Sequence, residues 1–104
     1  MDVTEGFDFT TDDVLEWELE AIWAAIDQER LIFSRHAREE LNLDALTLED
    51  VLDALSFPDE VSKDLPGGSR APGLNFDRHL DRVRIRAKVG WRESYYIVIT
   101  VMAN

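Results

Sequence analysis

Between residues 82 and 89, Arg82, Arg84, Arg86 and Lys88 alternate with Val83, Ile85, Ala87 and Val89. A period of two predicts a strand with four cations on one face and four apolar side chains on the other. Such a strand needs neighbours on both sides and apolar cover on one face. Tyr95 to Met102 is nearly continuous apolar and β-branched. It predicts a central strand covered on both faces, with Gly90-Trp91-Arg92-Glu93 as the turn between the two. Upstream, Glu60 to Lys63 reads as a short edge strand, Asp64 to Gly73 as a Pro/Gly loop, and Gly73 to Phe76 as the start of the sheet proper. His79 falls in Asp77-Arg78-His79-Leu80-Asp81, read as a hairpin loop.

The first half of the chain has helical spacing. Leu15, Leu19, Ile22, Trp23 and Ile26 form one stripe, predicting a helix from about 12 to 29 capped by Thr10, Thr11 or Asp12. Residues 1 to 10 read as a loosely held arm. Trp17, Ala21 and Ala24 lie on the opposite side of this helix. Leu31-Ile32-Phe33 reads as a short strand or extended link. Ser34 caps a second helix, Arg35 to about Asn42. Thr47-Leu48-Glu49-Asp50 is a capping box that opens a third helix, which Pro58 ends. Three helices followed by an antiparallel meander predict an α+β fold. Its N-terminal helices pack on one face of a small, mainly antiparallel sheet. At 104 residues, the chain is read as one domain.

Charge is unevenly placed. Residues 1 to 29 hold ten Asp or Glu and no Lys or Arg, whereas residues 30 to 104 hold twelve acidic and eleven basic residues. From Arg70 to Arg92, seven basic residues face only Asp77 and Asp81. The domain therefore divides into an acidic arm and helix, 1–29, and a near-neutral core, 30–104. No run approaches the roughly 18 to 20 apolar residues of a membrane helix. The acidic start does not match a signal peptide. With no cysteine, disulfides and thiolate metal sites are excluded. A cytoplasmic location and no membrane partner are the expectation.

Three constellations could carry chemistry. The cationic strand face suits RNA or phosphate, where Lys and Arg replace counterions; equally, it suits plain solvation or cover by the acidic helix. His36, at the start of the second helix, suits a general acid or base near neutral pH. It shares a helix face with Glu40, but two ligands are too few for a metal site, and no metal or cofactor is expected. Tyr95 and Tyr96 face opposite sides of their strand, and a Tyr hydroxyl serves as an acid, a phosphate contact or a buried anchor. Trp17 is the natural anchor for a contact through the N-terminal helix, including a homodimer.

Phe33-Ser34-Arg35-His36-Ala37-Arg38-Glu39-Glu40-Leu41, then Leu46-Thr47-Leu48-Glu49-Asp50-Val51, the basic strand, and Tyr96-Ile97-Val98-Ile99-Thr100-Val101 together resemble domain-of-unknown-function family 4258. That family is related to the RelE and ParE-type toxins. The resemblance covers residues 31 to 102 and implies a RelE-like core and a ribonuclease-like surface. On it, His36 would be catalytic and Arg84, Arg86 and Lys88 would stabilise phosphorane-like charge. Arg82, Arg38, Tyr96 and Trp17 are read beside them as candidate binding residues. RNA or a cognate antitoxin-like protein is the expected partner. At four and eight positions after the His, where members often carry Arg, this chain has Glu40 and Asp44. A non-catalytic binding or regulatory module on the same fold is therefore the competing reading. In a variant of either, the acidic helix masks the basic strand.

Overall fold

In the computed structural model, residues 6–104 are described. The chain is an α+β domain with the order α1 (Glu16–Asp27), β1 (Ile32–Phe33), α2 (Arg35–Leu43), α3 (Leu48–Ser56), β2 (Glu60–Asp64), β3 (Gly73–His79), β4 (Arg84–Arg92) and β5 (Tyr95–Ala103). The five strands form one sheet in the order β1-β5-β4-β3-β2. Three of its pairings are antiparallel, and β1 runs parallel to β5. Leu74, Phe76, Ala87, Val89, Val98 and Val101 from the sheet form one core with Ile22 of α1, Ala37 and Leu41 of α2, and Val51 and Leu55 of α3.

Local chemistry explains the helix starts. Ser34 Oγ accepts from the Ala37 amide and donates to the Ile99 carbonyl, so one residue caps α2 and ties it to β5. Thr47 and Asp50 bond reciprocally to each other's backbone amides, which completes the capping box of α3. Helix α1 starts later than its stripe suggests, at Glu16. The Glu18 carboxylate reaches back to the Leu15 amide at 2.8 Å, whereas Thr11 Oγ1 closes a local turn with the Asp13 amide instead of capping.

Two strand boundaries differ from the periodicity. Arg82 and Val83 precede β4, so three alternating cations, not four, belong to the strand. Gly90 does not break it. The residue sits in register opposite Ile97, and a Cβ there would lie 2.4 Å from Ile99 Cδ1. Glycine leaves room there for the side chain of Ile99, the extra residue of a bulge between Lys88 and Val89. The turn falls instead at Glu93 and Ser94, both at positive φ, as a two-residue hairpin that follows the sheet twist requires. His79 is likewise the last residue of β3, opposite Arg84, rather than a loop residue. Strand β5 lies inside the sheet but is not covered throughout: Tyr95 and Met102 are each 41% exposed.

Residues 6 to 9 are packed, not loosely held, and Thr10 is exposed; residues 1 to 5 lie outside the described part. Phe7 belongs to the core and its ring meets Tyr96 edge-on, with centroids 5.4 Å apart. The Tyr96 hydroxyl donates to the Gly6 carbonyl at 2.7 Å. Beneath this segment lies an ion pair whose two side chains are both fully buried. Lys63 Nζ is 2.9 Å from Glu18 Oε1 and also donates to the Asp8 carbonyl at 2.8 Å. Glu18 Oε2 accepts from the Asp8 amide at 2.9 Å. Arm, α1 and β2 thus meet at one fully bonded pair. On α3, the Trp23 indole N–H caps the Leu55 carbonyl at 2.7 Å and ties α1 to that helix's C-terminal turn.

Removing one member of such a pair strands the other charge. Glu18→Ala is expected to cost about 3–5 kcal/mol in urea denaturation, whereas the double replacement Glu18→Leu/Lys63→Met recovers most of that loss. Burial, and next the Glu18 charge, push the Tyr96 phenol up to about 12. The unfolded phenol ionises near the ordinary value of 10.0. Tyr96 therefore contributes stability in full below pH 10, and that contribution declines as pH rises toward 12. A phenolate absorbance step near pH 12 that Tyr96→Phe removes is the expected observation.

Candidate functional site

The cations singled out by the alternation do share a face. On β4, Ile85, Ala87 and Val89 point into the core, so Arg84, Arg86 and Lys88 project from the opposite face of the sheet. Register then sets their neighbours: Arg86 stands opposite Asp77 and Lys88 opposite Asn75. Arg86 grips Asp77 with both arms of its guanidinium, Nε to Oδ1 at 2.6 Å and Nη2 to Oδ2 at 2.7 Å. Lys88 Nζ bonds Asp64 Oδ2 at 2.7 Å and the Ala71 carbonyl at 2.6 Å. Asn75 adds a 2.9 Å bond to the same Asp64 oxygen.

These contacts have electrostatic consequences. The Arg86 bond, and after it the Arg84 and His79 charges, hold the Asp77 carboxyl below its ordinary range. Bonds from Asn75 first and Lys88 second do the same for Asp64. Arg86 is raised in turn by Asp77. Two of the three strand cations are thereby neutralised by acids of β2 and β3. The acidic N-terminal helix does not cover them within the chain: among the described residues of that segment, the carboxylate in an ion pair is Glu18, and its partner is Lys63.

His36 is elsewhere. It rides on α2, whose Ala37 and Leu41 pack into the core, so the sheet separates that helix from the cation face. The His36 side chain is 64% exposed, with Nε2 3.5 Å from Glu40 Oε1. Glu40 and Asp44 are not beside the cations either. Glu40 Oε1 accepts from the Val101 amide at 2.9 Å, and Asp44 Oδ2 from the Ala103 amide at 3.3 Å. Strand β1 pairs with β5 only at Ile97 and Val98. The two carboxylates bond amides farther along that edge, which would otherwise invite another strand.

The remaining candidates scatter. Arg38 is exposed on α2 and borders a shallow apolar depression with Phe33 and Leu48. Arg82 lies in the β3–β4 connection. Tyr96 is a buried anchor, as its bond to Gly6 shows, and Trp17 is half-buried on α1. Among the described residues, no group of three or more His, Cys, Asp or Glu is placed to hold a metal, and no helix is long and apolar enough to cross a membrane.

The periodicity missed the acids that pair with the strand. A hairpin folded about residues 80–83 would have set Asp77 against Arg86; the Asp64–Lys88 contact spans a second loop and has no local signal. For the edge, Glu40→Ala is expected to speed amide hydrogen exchange selectively at Val101, and Asp44→Ala more weakly at Ala103. The loss of stability should be about 1–2 kcal/mol for Glu40→Ala, as befits a charge-assisted bond.

A scan against protein-family models, a search of curated proteins and a search of solved structures each return no match.

Proposed function

We propose that this chain is a non-catalytic protein-binding domain whose contact surface is the open face of its sheet. The observation that carries this reading is the pairing of Arg86 with Asp77 and Lys88 with Asp64, on the far side of the sheet from His36. A ribonuclease needs a base and unneutralised cations around one phosphate. Here the base and the cations are separated, and two cations are already satisfied. The same face carries an apolar half. Tyr95 and Met102 stand opposite Arg92 and Arg86, and Ile32 stands beside Ile97. Ile32, Tyr95 and Met102 are all exposed. Exposed apolar groups beside a sheet face on which Arg86 and Lys88 are already paired suit a protein partner better than a polyanion.

The second reading, a ribonuclease on a RelE-like core that takes RNA and an antitoxin-like partner, rests on Arg84, Arg86 and Lys88 sharing one face. Binding and cleavage of single-stranded RNA, followed over a salt series, separate the two. The full chain is expected to show neither. Asp64→Asn/Asp77→Asn unmasks two cations and should confer weak, salt-sensitive RNA binding with a log–log slope of about one to two. Cleavage by the native chain that His36→Ala abolishes would overturn the binding-domain reading. In affinity capture, partners should be lost with Ile32→Asp/Met102→Asp and kept with Leu43→Asp, which alters an exposed site on α2.

A further inference from the structure

Adjoining the open sheet face at Tyr95, a groove of about 260 Å³ runs between α1 and the β4–β5 hairpin. On the helix side its lining is small, with Ala21 and Ala24; on the hairpin side it is aromatic, with Trp91, Tyr95 and Tyr96. The aromatic side is fixed in advance. Trp91 and Tyr96 meet edge-to-face with centroids 4.8 Å apart, and the Tyr96 hydroxyl is held by the Gly6 carbonyl. Gly6, at φ +74°, passes so close to Trp91 that a Cβ there would lie 2.6 Å from Trp91 Cγ.

The charge of the groove is opposite to that of the protein. The chain has 22 Asp and Glu against 11 Lys and Arg, yet the lining contains no acid and one cation, Arg30. Its guanidinium carbon lies 5.6 Å from the Tyr95 ring centre. Among the described residues, Arg30 forms no ion pair.

We propose that this groove binds a small planar aromatic carboxylate. The ring lies between the alanines of α1 and the rings of Trp91 and Tyr96, and the carboxylate meets Arg30. The alanines allow close approach of a flat face, the aromatic rings supply offset or edge contacts, and the guanidinium supplies a charge-assisted bond. The volume is below the roughly 300–1,000 Å³ of sites for drug-sized molecules, which limits the ligand to one ring system with a short acid arm. The groove meets the open sheet face at Tyr95, but the proposal does not rest on that face binding a protein.

Calorimetric titration of the full chain with phenylacetate and indole-3-acetate, each against its neutral amide, tests the proposal. The acids should bind at least about tenfold more tightly than the amides, the worth of one charge-assisted bond. Arg30→Gln should erase that preference, Ala24→Phe should fill the groove and abolish binding, and Arg35→Gln should change nothing. Ala24 and Arg30 are both exposed, so circular dichroism should show the fold retained in each variant. Absence of saturable heat with either acid, equal affinity for acids and amides, or binding that survives Ala24→Phe would overturn it.

Discussion

The buried pair of Glu18 and Lys63 is the constraint on which the N-terminal third depends. An acid and an ammonium removed from water cost several kcal/mol each before their attraction is counted. The structure offsets that cost by completing their bonding: Glu18 takes the Leu15 and Asp8 amides as well as Lys63, and Lys63 also takes the Asp8 carbonyl. The helix start, the arm and an edge strand are therefore fixed by one polar centre. A hydrophobic pair could match its stability but would not dictate which backbone atoms come together. Phe7 and Tyr96 then pack in the position that this centre defines.

The same logic governs the sheet. Carboxylates from β2 and β3 hold the cations of β4, and carboxylates from α2 bond the edge amides of β5. A chain with twice as many acids as bases thus uses several of its acids in internal contacts rather than only as a solvated coat. Arg86 and Lys88 lie among partners that hold them in place, so the sheet's open face is a set of ordered, paired groups beside apolar ones. Trp91 and Arg30 belong to the adjoining groove near the hairpin, which shares Tyr95 with that face and has no acid in its lining.

Much of the architecture was legible where the causes are local. Ser34 and Thr47 announced α2 and α3, because capping is chemistry between residues three apart. The alternation from Arg84 to Val89 announced β4 and its two faces. What was hidden arises from contacts between distant parts of the chain. Glu18 reads as solvent-facing by its charge, although it sits four residues before Ile22, on the stripe that is buried. Gly90 reads as a breaker until Ile99 is placed over it. Asp64 acquires its role only when β2 lies beside β3 and β3 beside β4. The RelE-like resemblance rests on the His36 segment, the capped helix after it and the last two strands, none of which says which acids pair with the cations. By sequence Glu40 reads as a helix-face neighbour of His36 and Asp44 as a loss of Arg, yet both bond amides at the edge of β5.

The position of β5 has a consequence for how the chain matures. This strand is the last in sequence but lies between β1 and β4, and its parallel partner is some 65 residues upstream, with Ile32 matched to Ile97. Loops that long form slowly relative to local hairpins. During synthesis, β2, β3 and β4 can pair as they emerge, while α2 has no strand to rest on and β4 shows a raw edge. Until residue 103 is made, the incomplete domain presents a strand-accepting gap to any extended segment nearby. That interval is when aggregation or chaperone capture is most favoured, and it ends when β5 inserts into the middle of the sheet.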